Sequence, residues 1–181
     1  GKAILKVTHS SEKSYETLNA ITKWQVALQK QVREVVPVIP ADNGQLSVKL
    51  SNKDGYFTSV LYPIAPGELF IKQNWNPDVV VKVGALTGKL HHASQKIEIA
   101  EFGRHLPVWH EMVYDQFIQH LPVNESELLH RFMTILNDIK NLPVSKETYG
   151  IIHNDILLGN LSMNNNRLTI YDFDDTCISW Y

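Results

Sequence analysis

The chain has 181 residues and 44% hydrophobic content, enough to bury a core as one ordinary domain or two small lobes. Its 17 Lys and Arg against 19 Asp and Glu leave a net charge of −2, which excludes the basic footprint of a nucleic-acid binder and the acidic bias of a disordered tail. A single cysteine, Cys177, excludes an internal disulfide framework or a four-cysteine zinc site and points to a reducing, cytoplasmic compartment; with no basic-then-apolar leader and no run near 18 apolar residues, neither secretion nor membrane spanning is expected.

Ala3-Ile4-Leu5-Lys6-Val7 predicts a short strand. Ser10-Ser11-Glu12 offers helix caps, and Tyr15, Leu18, Ile21, Trp24, Leu28 and Val32 recur at helical spacing, predicting a helix from about 11 to 31. The turn dipeptides Asn43-Gly44 and Asp54-Gly55 flank Leu46 to Leu50, which alternates with period two, and a second strand runs from Tyr56 to Tyr62. Pro63 and Pro66-Gly67 then break the pattern, as a connector between lobes 1–62 and 63–181 would. Asn76-Pro77 predicts a helix start, followed by Val79, Val83, Leu86 and Leu90, with Gly84 and Gly88 leaving room for a close helix neighbour. A third helix is predicted from Val108 to about Gln119. A fourth starts at Asn124 with Glu127 three residues on, carries Leu128, Phe132, Ile135, Leu136 and Ile139 on one face, and stops at Pro143. The last stretch returns to strands, Leu161 to Met163 and Leu168 to Tyr171, around an Asn164-Asn165-Asn166 turn.

The chemistry concentrates in Tyr149 to Asp175, YGIIHNDILLGNLSMNNNRLTIYDFDD. Phosphoryl transfer needs a carboxylate to orient and deprotonate the attacking hydroxyl, and oxygen ligands to hold Mg²⁺ against nucleotide phosphates. Asp155 can serve as the base. Asn160, five residues on, and Asp172, brought back by the hairpin 17 positions downstream, can converge as metal ligands.

This segment resembles the aminoglycoside phosphotransferase and choline kinase family, relatives of the protein kinases, through the pattern His-x-Asp-x-x-x-x-Asn followed by an apolar strand and Asp-Phe-Asp. Gly84 to Ser94, GALTGKLHHAS, and Leu106-Pro107-Val108-Trp109 are similar to further segments of that family. The resemblance implies an α+β, two-lobed protein-kinase-like fold, with a small antiparallel-sheet N-lobe and a mainly helical C-lobe. It implies Asp155 as catalytic base, His153 as the brace of its loop, Asn160 and Asp172 as Mg²⁺ ligands, and Lys6 as the strand lysine on the nucleotide phosphates. Val60, Leu61 and Tyr62 fall where the family's hinge grips the adenine. The implied reaction passes the γ-phosphate of ATP, or alternatively GTP, to a hydroxyl of a small molecule such as an aminoglycoside, choline, homoserine or sugar.

The sequence departs from the family twice. The first-helix glutamate that pairs with the strand lysine is replaced by Ile21, and the nearest acid, Glu16, lies about 140° round an ideal helix from it. The strands expected before Lys6 and the helices expected after Asp175 are not in these 181 residues, so the chain reads as the middle of a longer protein. An unpaired strand edge at Lys6 would then favour homo-oligomers. The missing glutamate motivates a rival reading, a degenerate relative that binds nucleotide or a partner without transferring phosphate. A metal-dependent hydrolase built on His153 and Asp155 is weaker, lacking a second histidine cluster. Asp174 is expected to support the metal and Asp175 to have no role. His91-His92 is expected to be surface or packing, and Trp180, close after the metal-binding segment, is the one tryptophan expected near a pocket.

Overall fold

The computed structural model describes residues 1–69, 75–122 and 125–181. The apolar, β-branched N-terminal run forms β1 (Ala3–His9), and helix α1 (Tyr15–Gln29) follows. α1 starts four residues later than the caps at Ser10 and Ser11 suggested. Those residues are spent in a turn on the His9 carbonyl, and Ser14 caps instead, its hydroxyl accepting from the Thr17 N–H at 3.1 Å. Strands β2 (Val48–Asn52) and β3 (Gly55–Pro63) form a hairpin closed by Lys53-Asp54, one residue earlier than the expected Asp54-Gly55, because Asn52 Oδ1 accepts from the Asp54 N–H at 3.0 Å. The first sheet runs β1-β3-β2, all antiparallel, with Lys6 opposite Val60, and β1 at its edge exposes Ile4, Leu5 and Val7.

After the short β4 (Glu68–Leu69), helix α2 (Pro77–Ser94) begins as predicted, with Asn76 Oδ1 accepting from the Val79 N–H at 3.1 Å and Pro77 in the first turn. Its buried stripe is Val79, Leu86, Leu90 and Ala93. Gly84 and Gly88 lie on the opposite, exposed face, and a Cβ at either would meet nothing within 4 Å, so the expected close helix neighbour is absent among the described residues. The sequence pattern also missed α3 (Ile99–Phe102), too short to show a period. Helices α4 (Trp109–His120) and α5 (Ser126–Lys140) follow; the N-cap expected at Asn124 lies outside the described residues. The apolar face of α5 is only partly covered, with Leu136 buried and Leu128 and Ile135 exposed.

Strands β5 (Tyr149–Ile152) and β8 (Cys177–Trp180) pair antiparallel, and β6 (Leu161–Asn164) pairs with β7 (Arg167–Ile170) on one side and β4 on the other. The β6–β7 turn is the two-residue Asn165-Asn166, at φ 47° and 68°, the left-handed pair that a hairpin's twist requires and that asparagine tolerates. One buried cluster joins Trp24 and Leu28 of α1 to Leu86 and Leu90 of α2, Ile151, Leu161, Ile170 and Phe173. The segment after α1 locks onto β7 through Val36 N–H to the Ile170 carbonyl, 3.0 Å, and Ile170 N–H to the Glu34 carbonyl, 2.8 Å. No described helix is long and apolar enough to cross a membrane.

Candidate active site

Two elements of the fold meet beside a cleft that Tyr171 and Asp172 line and that His153, Asp155 and Asn160 do not. The loop after β5 carries His153, Asn154 and Asp155, and the end of β7 carries Tyr171 and Asp172. Tyr171 ties them together through its backbone. Its N–H donates to the Asn160 carbonyl at 3.1 Å, and its own carbonyl lies 3.2 Å from His153 Nε2. The Asp155 N–H donates to His153 Nδ1 at 3.2 Å, so Nδ1 carries no proton and Nε2 donates to Tyr171. The ring is 2% exposed and stacks obliquely on Phe173, centroids 4.4 Å apart. Burial holds its pKa below 6.5, outweighing the opposing hydrogen bond to the Tyr171 carbonyl and the charges of Asp155, Asp172 and Asp175. His153 is thus a neutral ring hydrogen-bonded between the Asp155 N–H and the Tyr171 carbonyl.

Asn160, at the end of a single 3₁₀ turn, donates its amide to the Asp155 carbonyl at 3.0 Å and to Asp155 Oδ2 at 2.6 Å. That fixes the Asp155 carboxylate and turns the Asn160 side-chain oxygen the other way. Asn154 and Asp172 both sit at positive φ, 64° and 61°, a conformation that costs an L-residue energy and clusters where a side chain must be aimed.

Across the cleft, Lys6 Nζ lies 2.6 Å from Asp172 Oδ1 and 2.8 Å from Asp174 Oδ2. Burial works against its ammonium, but the hydrogen bonds and charges of the two aspartates more than compensate and hold its pKa above the ordinary value. Lys13 donates to the Asp174 backbone carbonyl. Ile21 is buried in the core at 3% exposure and Glu16 is exposed, so the acids that meet Lys6 come from the Asp-Phe-Asp segment and not from α1.

A cavity of about 570 Å³ opens beside this cluster. Ile4, Leu5, Val36, Ile64 and Leu69 give it apolar walls, while Lys6 and Asp172 stand at its charged end. Of the three expected hinge residues, Tyr62 lines it; Val60 is buried in β3 opposite Lys6, and neither Val60 nor Leu61 is among the lining residues. Burial, then Asp174 and Asp172, drive the Tyr62 phenol far above its ordinary pKa, so it stays neutral. The connector Pro63 to Gly67 forms the rest of that wall. Gly67, at φ 92°, is required there, since a Cβ would collide with the Met163 carbonyl. Trp180 is not at this cleft. It pairs with Tyr149 at the far end of the β5–β8 ladder and packs on Trp109, centroids 5.2 Å apart.

Lys13 and Tyr171 carried no sequence signal. Lys13 lies in the turn before α1, and Tyr171 makes these bonds through its main chain. Asn160 and Asp172 offer the oxygen donors that suit a divalent cation, and among the described residues no group of three or more His, Cys, Asp or Glu is placed to hold a metal ion.

The sequence model of the phosphotransferase enzyme family matches residues 1–181. The amicoumacin kinase of Bacillus subtilis (strain 168) is 24% identical over 179 residues, covering 98% of this chain and 53% of that protein. The structure of amicoumacin kinase hAmiN with AMP-PNP, Ca²⁺ and Ami superposes with a TM-score of 0.90 at 24% identity, over 98% of this chain and 54% of that one. A microcompartment-associated aminopropanol kinase gives 0.76 at 26% identity, over 99% and 59%. The GDP complex of wild-type aminoglycoside 2'-phosphotransferase-IIIa gives 0.55 at 17% identity, over 91% and 57%. The chain therefore spans about half the length of the relatives it matches. Its antiparallel sheets and helices are the α+β, kinase-like fold of these neighbours. With the match running through every residue, the chain belongs to the phosphotransferase enzyme family.

Proposed function

We propose that the intact protein carrying this chain transfers the γ-phosphate of ATP to a hydroxyl of a small molecule, in the cytoplasm, with GTP as the alternative donor. The observation that carries this reading is the Asp155 carboxylate fixed by Asn160, joined through Tyr171 to an Asp172–Lys6 pair at the charged end of the 570 Å³ cavity. The apolar wall, with Tyr62 and the Pro63 to Gly67 connector, suits a flat base, and Lys6 faces the phosphates. Asn160 and Asp172 would hold Mg²⁺, which when bound neutralises charge on the phosphates. Asp155 orients the acceptor hydroxyl and takes its proton as oxygen attacks the γ-phosphorus and the bond to the β-phosphate oxygen breaks, releasing ADP. His153 keeps the loop in place without itself touching the reacting atoms. Most of the acceleration is positioning and electrostatics. The names of two relatives, an aminopropanol kinase and an aminoglycoside phosphotransferase, put amino alcohols first among acceptors to try, ahead of homoserine-like and sugar-like compounds.

In the intact protein, Asp155→Asn lowers kcat by at least about 10²-fold, as removal of a general base does. A coupled ADP-release assay with amino-alcohol acceptors measures it, and an unchanged kcat removes Asp155 from the role. ATP binding without ADP release from any acceptor would favour the non-catalytic relative.

A further inference from the structure

Lys6 meets two carboxylates, and their surroundings differ. Asp172 stands on left-handed backbone at φ 61°, with its side chain 45% exposed to the cleft. The Asp174 side chain is 29% exposed, and its backbone is anchored on both sides. Lys13 donates to its carbonyl. On the other side, Phe173 is 2% exposed, packs on Trp24 with centroids 5.8 Å apart, and its carbonyl accepts from the Thr176 hydroxyl at 2.6 Å. Asp174 therefore projects from fixed backbone, while Asp172 faces the open site.

We propose that Asp174 is the residue that positions Lys6. This rests on the reading of the cleft as a nucleotide site. A lysine side chain has a flexible four-carbon stem and loses its aim unless an anion holds the ammonium. Asp172 cannot hold it throughout, because a carboxylate that ligates a divalent cation gives up its charge to that cation, and the cation repels a neighbouring ammonium. Asp174 Oδ2, 2.8 Å from Nζ, keeps its hold. α1 supplies no substitute, since Ile21 is packed in the core and Glu16 is exposed. Lys13 holds the Asp174 carbonyl, so the support runs from Lys13 through Asp174 to Lys6.

The experiment uses the intact protein in five forms: wild type, Lys6→Ala, Asp174→Asn, the double variant and Asp174→Glu. Calorimetric titration with ATP and Mg²⁺ is expected to show Asp174→Asn weakening ATP by about tenfold, the size of one charge-assisted hydrogen bond. The double variant is expected to bind no worse than Lys6→Ala, because Asp174 acts only through Lys6. The Mg²⁺ concentration at half-maximal activity stays within about twofold of wild type, and Asp174→Glu recovers part of the loss. Additive losses, or a Mg²⁺ requirement raised about tenfold, would overturn the proposal, the latter by making Asp174 a metal ligand. Competitive acetylation of Lys6 without nucleotide, in saturating Mg²⁺, reads the pair directly: Asp174→Asn raises labelling several-fold if the pair holds Lys6, and unchanged labelling overturns it. A wild type that binds no ATP yet shows this Asp174-dependent protection keeps the pair and removes the phosphotransferase reading instead.

Discussion

His153 shows how much one buried polar group decides at the residue scale. Both ring nitrogens are used, Nδ1 accepting from Asp155 N–H and Nε2 donating to the Tyr171 carbonyl, and a second proton would put two donors face to face at Nδ1. The unfolded ring titrates near 6.5 and the folded one below it, because burial disfavours the cation. The unfolded chain therefore binds the proton first as pH falls, so this contribution to stability is full above about pH 6.5 and is lost below it, down through the folded pKa. Denaturant unfolding at a series of pH values is expected to show stability falling on that side, with a shallower slope in His153→Gln, and an NMR titration of the ring gives a midpoint under 6.5. A midpoint above 6.5 would mean that the charged form is the native one.

Helix and strand limits were legible where a local signal acts alone. Asn76-Pro77 started α2 where it should, because an N-cap oxygen and a proline without an N–H satisfy the same few backbone groups whatever surrounds them. The start of α1 was misplaced because Ser10, Ser11 and Ser14 are equivalent as caps, and the choice among them fell to the turn at the His9 carbonyl. Gly84 and Gly88 misled for a related reason. Their spacing fits a close helix crossing, yet the apolar stripe of α2 turns the other way, and the burial of Leu86 and Leu90 outweighs any contact on the glycine face. Among the described residues nothing touches either glycine, so each weakens the helix. Gly88→Ala is expected to stabilise the intact protein by about 1 kcal/mol, seen as a raised unfolding midpoint. A lowered midpoint would show that a neighbour does approach that face.

At the level of the whole molecule, helix α1 of the expected 1–62 lobe packs into a core shared with the 63–181 residues, and no residue of β1, β2 or β3 is in that cluster. Trp24 and Leu28 of α1 lie in the same buried cluster as Leu86, Leu90, Ile151 and Ile170. Leu28, fully buried, is expected to lose about 2–5 kcal/mol on change to alanine. Circular dichroism and tryptophan fluorescence are expected to report one coincident transition before and after that change. Two separate transitions would show that sheet and helices fold as distinct domains.

The sequence by itself determined the chemistry available and its order along the chain: a strand lysine, a turn of His153, Asn154 and Asp155, an asparagine five residues on, and a hairpin ending in Asp172. These were readable because reactive side chains have few substitutes and a two-residue turn tightly limits where a hairpin returns. Only the tertiary structure decided that Asp172 and Asp174 both meet Lys6, that Lys13 donates to the Asp174 carbonyl, that Tyr171 joins the His153 loop to the Asp172 segment through its main chain, and that Trp180 packs on Trp109 away from them. Those outcomes depend on contacts between residues up to 166 positions apart and on backbone groups common to every residue, and neither leaves a mark in local pattern.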